Sequence, residues 1–148
     1  MIKTDILIIG AGPTGLFTVF EAGLLKLKCH LIDALPQPGG QCSEIYPKKP
    51  IYDIPAFPEI LAGDLVDNLM KQIQPFQPGF TLGERAQSIQ TLDDGTFIVT
   101  TNKGTKHHAP IVAIACYNVF NFLWRNKFFL PFFESFLSRY CIFSKSRM

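Results

Sequence analysis

Ile-Leu-Ile-Ile-Gly-Ala-Gly-Pro-Thr-Gly, residues 6–15, is the stretch that decides the fold of this 148-residue chain. Its four consecutive apolar residues, mostly β-branched, predict a buried strand over Ile6–Ile9. A glycine-rich turn follows at once, and Leu16–Leu27 has the pattern of a helix. A second apolar run, Cys29–Ile32, predicts another strand and leads into the acidic Asp33. The chain therefore opens with a strand, a glycine turn, a helix and a second strand.

The turn has the spacing Gly-x-Gly-x-x-Gly, with Gly10, Gly12 and Gly15 at the fixed positions. The first glycine permits a tight turn, the second lets a pyrophosphate approach the backbone, and the third lets the helix pack closely on the strand. Asp33 follows Gly15 by 18 residues, a spacing at which a carboxylate accepts hydrogen bonds from a ribose diol. We interpret the opening as a dinucleotide-binding βαβ unit, with a chance glycine turn as the alternative.

Length and composition indicate one globular domain, because the 148 residues are 47% hydrophobic and only 18% charged. The four cysteines, Cys29, Cys42, Cys116 and Cys141, form no Cys-x-x-Cys pair and have no zinc-site spacing. The apolar start lacks the cleavage site of a secretory signal, so reduced thiols and a cytoplasmic location are expected. We expect neither a metal site nor a nucleic-acid partner.

Charge and aromatic content change abruptly near Ala115. Residues 1–115 carry nine Lys and Arg against eleven Asp and Glu, whereas residues 116–148 carry five against one. The second segment also holds eight of the fourteen phenylalanines and the one tryptophan. We therefore divide the chain into a first part, 1–115, and a divergent aromatic and basic tail, 116–148, that is foreign to the fold.

Between these landmarks the first part contains a long irregular stretch and several shorter elements. Residues 34–62 are rich in proline, and a structureless segment of this length inside a domain is usually functional. The remaining expected elements are a helix over Asp64–Ile73, strands over Phe80–Leu82, Ser88–Leu92, Phe97–Thr101 and Ile111–Ala115, and turns at Asp93–Gly95 and Asn102–Gly104.

Several motifs together resemble one family. They are Gly39-Gly40-Gln41, Tyr46-Pro47, Ile51-Tyr52-Asp53-Ile54-Pro55, Phe57-Pro58, Ala62-Gly63 and Gly83-Glu84-Arg85-Ala86. The first is similar to the Gly-Gly-Gln of the thioredoxin-reductase-like flavoproteins, and the rest narrow the resemblance to the type 2 ferredoxin–NADP reductases over residues 1–115.

This resemblance implies an α/β fold, namely a Rossmann-like FAD-binding three-layer domain with a parallel sheet and a small antiparallel β-meander. It implies FAD at the opening fingerprint, with a separate NADPH domain later in the chain. The implied parent reaction passes a hydride from NADPH to the flavin and then single electrons to ferredoxin, so no catalytic acid, base or nucleophile is assigned. The full-length family implies a homodimer. A thioredoxin-reductase-like flavoprotein is the alternative enzyme.

The resemblance also assigns the cofactor contacts residue by residue. The pyrophosphate is assigned to the glycine loop, at Gly10, Gly12, Pro13, Thr14 and Gly15. The adenosine ribose is assigned to Asp33 and the adenine to the backbone of Ala86. On the long loop, Gly40 is assigned to the cofactor and Gln41 and Tyr46 to its flavin end. The amide of Gln41 donates and accepts at once, which suits the mixed edge of an isoalloxazine ring. The alternatives are a solvated Gln41, a packing Tyr46 and an Ala86 without contacts.

Other candidates have simpler explanations. Cys42 is expected to be a small buried hydrophobe, because the redox partner of the glutathione-reductase branch is replaced here by Pro47. His107 and His108 have no matching ligands nearby, so we expect them in an exposed turn or strand edge. The pair Lys48–Lys49 is expected to be solvated, with docking of an acidic ferredoxin as the alternative.

The tail departs from the family. Nothing in residues 116–148 matches it, and the second Gly-x-Gly-x-x motif expected for NADPH is absent. The change favours a frameshifted or prematurely ended reading frame, and an inert product or a nucleotide-binding module without turnover are the functional alternatives. A membrane-interface role for residues 128–133 is the competing view. A transmembrane helix is not expected, because the region is interrupted by the charged Arg125, Lys127 and Glu134 and broken by Pro131.

Overall fold

The computed structural model describes residues 1–116 and 141–144 of the chain. The strands and helices, in chain order, are β1 (Ile2–Lys3), β2 (Ile6–Ile9), α1 (Pro13–Leu24), β3 (Cys29–Asp33), α2 (Gln41–Glu44), β4 (Pro50–Ile51), β5 (Ile60–Leu61), α3 (Ala62–Ile73), a 3₁₀ turn (Gln74–Phe76), β6 (Gly79–Leu82), β7 (Ala86–Thr91), β8 (Phe97–Thr101), β9 (Lys106–Ala109), β10 (Ile111–Ile114) and β11 (Cys141–Ser144).

The central sheet has five strands in the order β11-β10-β2-β3-β6. The β10-β2, β2-β3 and β3-β6 pairs are parallel, and the glycine turn leaves the carboxyl end of β2. Strand β2 is buried along its whole length, as a continuous apolar run in a two-sided parallel sheet requires. The edge strand β11 pairs antiparallel with β10, so Ile114 lies opposite Cys141.

Each face of this sheet is covered by a separate layer. Helices α1 and α3 pack on one face, where Ile8, Leu16 and Leu31 belong to one apolar core. A four-stranded meander in the order β1-β9-β8-β7 packs on the other face, where Leu7 and Val99 belong to a second core. Alternate residues of β2 thus enter opposite cores. The expected three-layer α/β fold with a parallel sheet and a meander is confirmed.

Helix α1 begins and ends three residues earlier than the pattern predicts. Pro13 occupies its first position, where a preset φ and a missing N–H suit a helix start. The helix ends at Leu24 because Lys26 has a left-handed φ of 62° and its N–H bonds the Gly23 carbonyl at 2.9 Å. The irregular stretch 34–62 also contains the short helix α2 and the paired strands β4 and β5.

The expectation for His107 is wrong. Strand β9 lies between β1 and β8, and the His107 side chain is 0% exposed. Its ring packs against that of His30 on β3, with 4.9 Å between centroids. The alternation along β9 causes this, because His107 and Ala109 point to the sheet whereas Lys106 points to solvent. His108 is half-buried and shares a 2.9 Å hydrogen bond with the Thr96 hydroxyl.

The predictions made for the tail fall mostly outside the described residues. Residues 117–140 and 145–148, including the aromatic run 128–133, are among those not described. Within the tail, the pairing of β11 with β10 is described for the backbone. The foreign origin of the tail stays a prediction.

Candidate dinucleotide-binding site

The glycine loop has the geometry that its spacing predicts. Gly10 has a φ of 109°, and a Cβ there would lie 2.5 Å from the Ala115 carbonyl oxygen. A Cβ on Gly15 would overlap the Gly10 carbonyl oxygen, so only glycine lets α1 approach the turn this closely. A Cβ on Gly12 would meet nothing within 4 Å. Gly12 therefore faces open space, as a position that a ligand approaches would.

Helix α1 starts at this loop with its first turn uncapped. Gly12 is the N-cap residue, no side chain bonds back to the helix start, and no acidic residue lies in the first turn. The N–H of Leu16 bonds the Gly12 carbonyl at 3.0 Å, while the N–H groups of Thr14 and Gly15 precede the helical ladder. Such groups and the positive end of the helix dipole form an anion-binding site.

Asp33 stands at the carboxyl end of β3 and joins two loops. Its Oδ2 accepts a hydrogen bond from the Ala11 N–H at 2.6 Å, and its Oδ1 accepts one from the Leu35 N–H at 2.9 Å. A carboxylate has about four acceptor sites, so each oxygen retains capacity for a further donor. The half-buried Asp33 is therefore fixed in direction and still able to bind a diol.

The Gly-Gly pair of the long loop folds onto the glycine loop. The N–H of Gly39 donates to the Ala11 carbonyl at 2.8 Å. A Cβ on Gly40, which has a φ of 58°, would lie 3.2 Å from the Gly12 Cα. A Cβ on Gly39 would overlap the Ser43 hydroxyl. The two glycine segments thus meet backbone to backbone beside the helix start.

Gln41 and Tyr46, expected at the flavin end, are brought together. Gln41 begins α2 directly after Gly40, and the Tyr46 hydroxyl donates to its Oε1 at 3.2 Å. The Lys49 ammonium lies 5.2 Å from the centroid of the Tyr46 ring, within range of a cation–π interaction. Gln41 is exposed and Tyr46 is half-buried, so both polar groups are accessible beside the glycine loop.

Ala86 begins β7, and its side chain is 7% exposed. The segment before it is tied to the Asp33 region, because the N–H of Gly83 donates to Leu35 at 2.9 Å and that of Glu84 donates to Asp33 at 3.0 Å. The candidate residues therefore line one carboxyl-terminal edge of the sheet, where ligands of such folds bind. Ala86 enters this edge through its backbone, since its side chain belongs to the meander core.

The sequence interpretation did not predict that Thr101, Asn102 and Thr105 contact the segment before Ala86. The Thr101 hydroxyl donates to the Glu84 carboxylate at 2.5 Å, and the Asn102 side chain accepts from the Arg85 N–H at 2.8 Å. Hydrogen bonds from Thr101 and then Thr105 lower the pKa of Glu84. The turn at residues 102–104 was predictable, but its contact with residues distant in sequence was not.

Cys42 is half-buried, and burial raises the pKa of its thiol. A raised pKa disfavours the thiolate, which agrees with the expected packing role. Among the described residues, no cluster of three or more His, Cys, Asp and Glu side chains is arranged to hold a metal ion. No helix in the described ranges has the length and apolar character needed to cross a membrane.

Comparison with known proteins places this geometry in a class. Residues 8–64 match the model of the NAD(P)-binding Rossmann-like domain. A thioredoxin reductase from Streptococcus pyogenes has the same fold, with a TM-score of 0.65 and 25% identity over 76% of this chain and 34% of its own. The class is therefore that of Rossmann-like domains in thioredoxin-reductase-like proteins.

Curated relatives give a narrower similarity. Ferredoxin–NADP reductase 2 of Christiangramia forsetii is 89% identical over 115 residues, which are 78% of this chain and 32% of that protein. The ferredoxin–NADP reductase of Flavobacterium johnsoniae is 80% identical over the same share of this chain and 33% of its own length. Over its N-terminal 78%, the chain is thus similar in sequence to ferredoxin–NADP reductases and similar in fold to a thioredoxin reductase. The chain spans about a third of the length of these relatives.

Proposed function

We propose that the described part of this chain is the FAD-binding part of an oxidoreductase whose parent reaction carries electrons from NADPH through FAD to ferredoxin. The observation that carries the proposal is the open Gly12 at the uncapped start of α1, flanked by Asp33 and by the Gly39–Gly40 segment. The relatives' names supply NADP and ferredoxin, and 89% identity supports the transfer.

The loop containing Gly10, Pro13 and Thr14 holds the pyrophosphate in this proposal. The open face of Gly12 gives the phosphates access to the backbone, and the helix dipole favours their negative charge. Asp33 accepts hydrogen bonds from the adenosine ribose while its bonds to Ala11 and Leu35 keep the carboxylate in place. A phosphate on that ribose would meet the negative carboxylate, which favours FAD over a 2′-phosphorylated nucleotide here.

Gln41 and Tyr46 bind the flavin end. The Gln41 amide NH₂ is free to donate while its oxygen accepts from Tyr46, so the hydrogen bond between them orients the amide. FAD, when bound, supplies the hydride-accepting and one-electron chemistry. The residues of this chain bind and orient the cofactor, and none is assigned a proton-transfer role.

The adenine is assigned to the backbone of Ala86. The Arg85 N–H bonds the Asn102 side chain, and the Asn102 N–H bonds the Arg85 carbonyl at 2.9 Å. Hydrogen-bonded and non-hydrogen-bonded pairs alternate along antiparallel strands. Ala86, opposite Thr101, therefore takes the non-hydrogen-bonded place, with its N–H and C=O directed to the outer side of edge strand β7. The Ala86 N–H donor and C=O acceptor, side by side, match the N1 acceptor and the N6 donor of adenine.

The 148 residues contain one Gly-x-Gly-x-x-Gly motif, and this proposal assigns it to FAD. No residue is therefore assigned to NADPH, and we expect the chain alone not to complete the parent reaction. A nucleotide-binding module without turnover is the second candidate. The open Gly12 backbone at the uncapped start of α1 supports it, because these features suffice to bind a nucleotide phosphate whether or not turnover follows.

The visible absorbance of the purified full chain tests both candidates after incubation with FAD and desalting. A retained flavin band near 450 nm (about the usual cofactor position) supports the FAD site, and a colourless protein contradicts it. Addition of NADPH then separates the candidates. Bleaching of the band followed by ferredoxin reduction would contradict the view that the chain lacks turnover.

A cytoplasmic location and formation of a homodimer complete the proposal. Among the described cysteines, Cys29 and Cys42 are free thiols, which supports a reducing compartment. Light scattering of the purified chain at two concentrations tests the dimer, and a monomer mass at both contradicts it.

A further inference from the structure

The segment Gly83–Ala86 crosses from the central sheet to the meander and is held at both ends. On the sheet side, the Gly83 and Glu84 N–H groups bond the Leu35 and Asp33 carbonyls. On the meander side, Asn102 forms two hydrogen bonds with Arg85, one through its side chain and one through its N–H. In the described part of the chain, Asn102 is thus the meander residue whose side chain bonds the backbone of this segment.

The Asn102 side chain does not fill the core, because it is exposed. Its Oδ1 takes the place that the Asn102 carbonyl would occupy in a regular antiparallel pair with Arg85. The chain can therefore turn at Asn102, and the β7–β8 hydrogen-bond ladder still extends to the Arg85–Asn102 pair. The Gly104 N–H closes this turn on the Thr101 carbonyl at 3.0 Å.

A β-bulge adds a second irregularity at the same place. The register of β7 and β8 shifts between Ala86 and Ser88, so regular pairing stops just beyond Ala86. Bulges locally disrupt the ladder and re-aim groups near sites. With the ladder irregular on one side of Ala86, the Arg85–Asn102 pair on the other side sets which way the Ala86 N–H and C=O point.

We propose that Asn102 is a positioning residue for recognition of the adenine, acting through Arg85 to keep the Ala86 N–H and C=O directed outward from β7. This inference rests on the proposed FAD function. The Thr101 hydroxyl, bonded to the Glu84 carboxylate, braces the same segment from the neighbouring strand. Asn102 itself does not touch the base.

The test compares two flavin dinucleotides on the full chain. Flavin hypoxanthine dinucleotide differs from FAD in the base edge, because its N1 donates and its C6 oxygen accepts. The affinities of wild type and Asn102→Ala for both compounds are measured by quenching of flavin fluorescence. We expect Asn102→Ala to weaken FAD binding about fivefold to tenfold, the loss of about one hydrogen bond, and to leave the hypoxanthine compound within about twofold. Asn102→Asp retains the acceptor and restores the preference for FAD.

Asp94→Ala is the matched control, because Asp94 Oδ1 accepts from the Thr96 N–H and hydroxyl in the turn at the far end of the same hairpin. We expect it to lower the melting temperature without changing the ratio of the two affinities. An unchanged ratio in Asn102→Ala overturns the inference while leaving the FAD site intact. A wild type that binds neither compound overturns the proposed function instead. If Asn102→Ala shows no cooperative melt, Asn102→Ser replaces it in the same comparison.

Discussion

The two faces of the central sheet are built from different kinds of side chain. The helix face is an apolar core in which α1 and α3 cover strand residues such as Ile8 and Leu31. The meander face has a comparable apolar core, but it also buries His30, Thr101 and His107. The helix face thus supplies burial that does not change between acidic and neutral pH, because the pKa of its buried Cys29 is raised to about 11, whereas the meander face also buries histidines and hydrogen-bonding groups. The candidate site lies at the edge where the two faces meet.

Truncation of Leu31 is expected to have the largest effect. Its side chain is fully buried on the helix face, so Leu31→Ala removes apolar contacts and leaves a cavity. We expect a loss of about 3–4 kcal/mol in the free energy of unfolding, measured by urea denaturation. The matched change Val99→Ala on the meander face is expected to cost about 2 kcal/mol, because fewer atoms are removed. Equal losses of unfolding free energy would contradict this ranking of the two substitutions.

The meander face is expected to lose stability as the pH falls. Burial, and then the neighbouring His107, lower the pKa of His30 to about 4, and burial lowers that of His107. Below pH about 6.5 the unfolded chain binds protons that the folded chain does not. Stability therefore declines from pH 6.5 towards pH 4, by an amount on the order of 2 kcal/mol.

The groups that act electrostatically on this histidine pair are Glu84 and the Met1 ammonium. Glu84 opposes the lowering of the His107 pKa, and the ammonium adds to it. Urea denaturation at pH 7, 5.5 and 4 measures the decline in wild type and in His107→Phe. The difference between the two curves isolates the contribution of His107, because the carboxylates and the buried His30 titrate in both. A variant whose stability falls as steeply as wild type would rule out a contribution of His107 to the pH dependence.

Gly12→Ala separates binding from folding on the helix side of the site. A Cβ at Gly12 meets nothing within 4 Å, whereas one at Gly15 overlaps the Gly10 carbonyl. We expect Gly12→Ala to keep the melting temperature within about 2 °C and to weaken FAD binding about tenfold, because the methyl group occupies the ligand's approach. Gly15→Ala is the contrasting variant and is expected to destabilise the fold itself. Parallel losses of stability in the two variants would contradict the distinction.

The smallest effect is expected from His107→Phe at neutral pH. Neither His107 nitrogen has a hydrogen-bond partner in the described part of the chain, and burying unpaired polar atoms is unfavourable. An aromatic ring of similar shape keeps the contact with His30 and removes those atoms. We expect a gain of about 1 kcal/mol or less by thermal or urea denaturation at pH 7.5. A loss above this size would show that the imidazole has a partner in solution.

Much of the fold could be predicted because its signals are local. The apolar run Ile6–Ile9, the glycine spacing and the turn at Asp93–Gly95 each specify structure within a few residues, and each prediction is confirmed. Helix α3 begins two residues earlier than expected, since Ala62 and Gly63 follow the extended Leu61 directly into the helix. The limits of helices depend on capping geometry, which the apolar pattern does not report.

The missed features are contacts between residues far apart in sequence. His107 was expected in an exposed turn or strand edge because no matching ligands lie nearby in sequence, but β9 is inserted between β1 and β8 and its inward face packs on β3. Asn102 lies in an Asn-Lys-Gly sequence that is typical of an ordinary turn, and only the fold brings it to Arg85. The assigned cofactor residues stay predictions, although the structure places the glycine loop, Asp33 and Gln41 along one edge.

The backbone junction between Ala11–Gly12 and Gly39–Gly40 has a consequence for how this region tolerates change. At Gly39 an added methyl group would overlap Ser43, and at Gly40 it would press on Gly12. In a saturation library of the site, few substitutions at Gly39 and Gly40 should give folded protein, whatever their charge or size. Many more substitutions should give folded protein at the exposed Gln41. Redesign of the cofactor preference has to proceed from the side chains around the junction, since the junction itself consists of glycines and the fully buried Ala11.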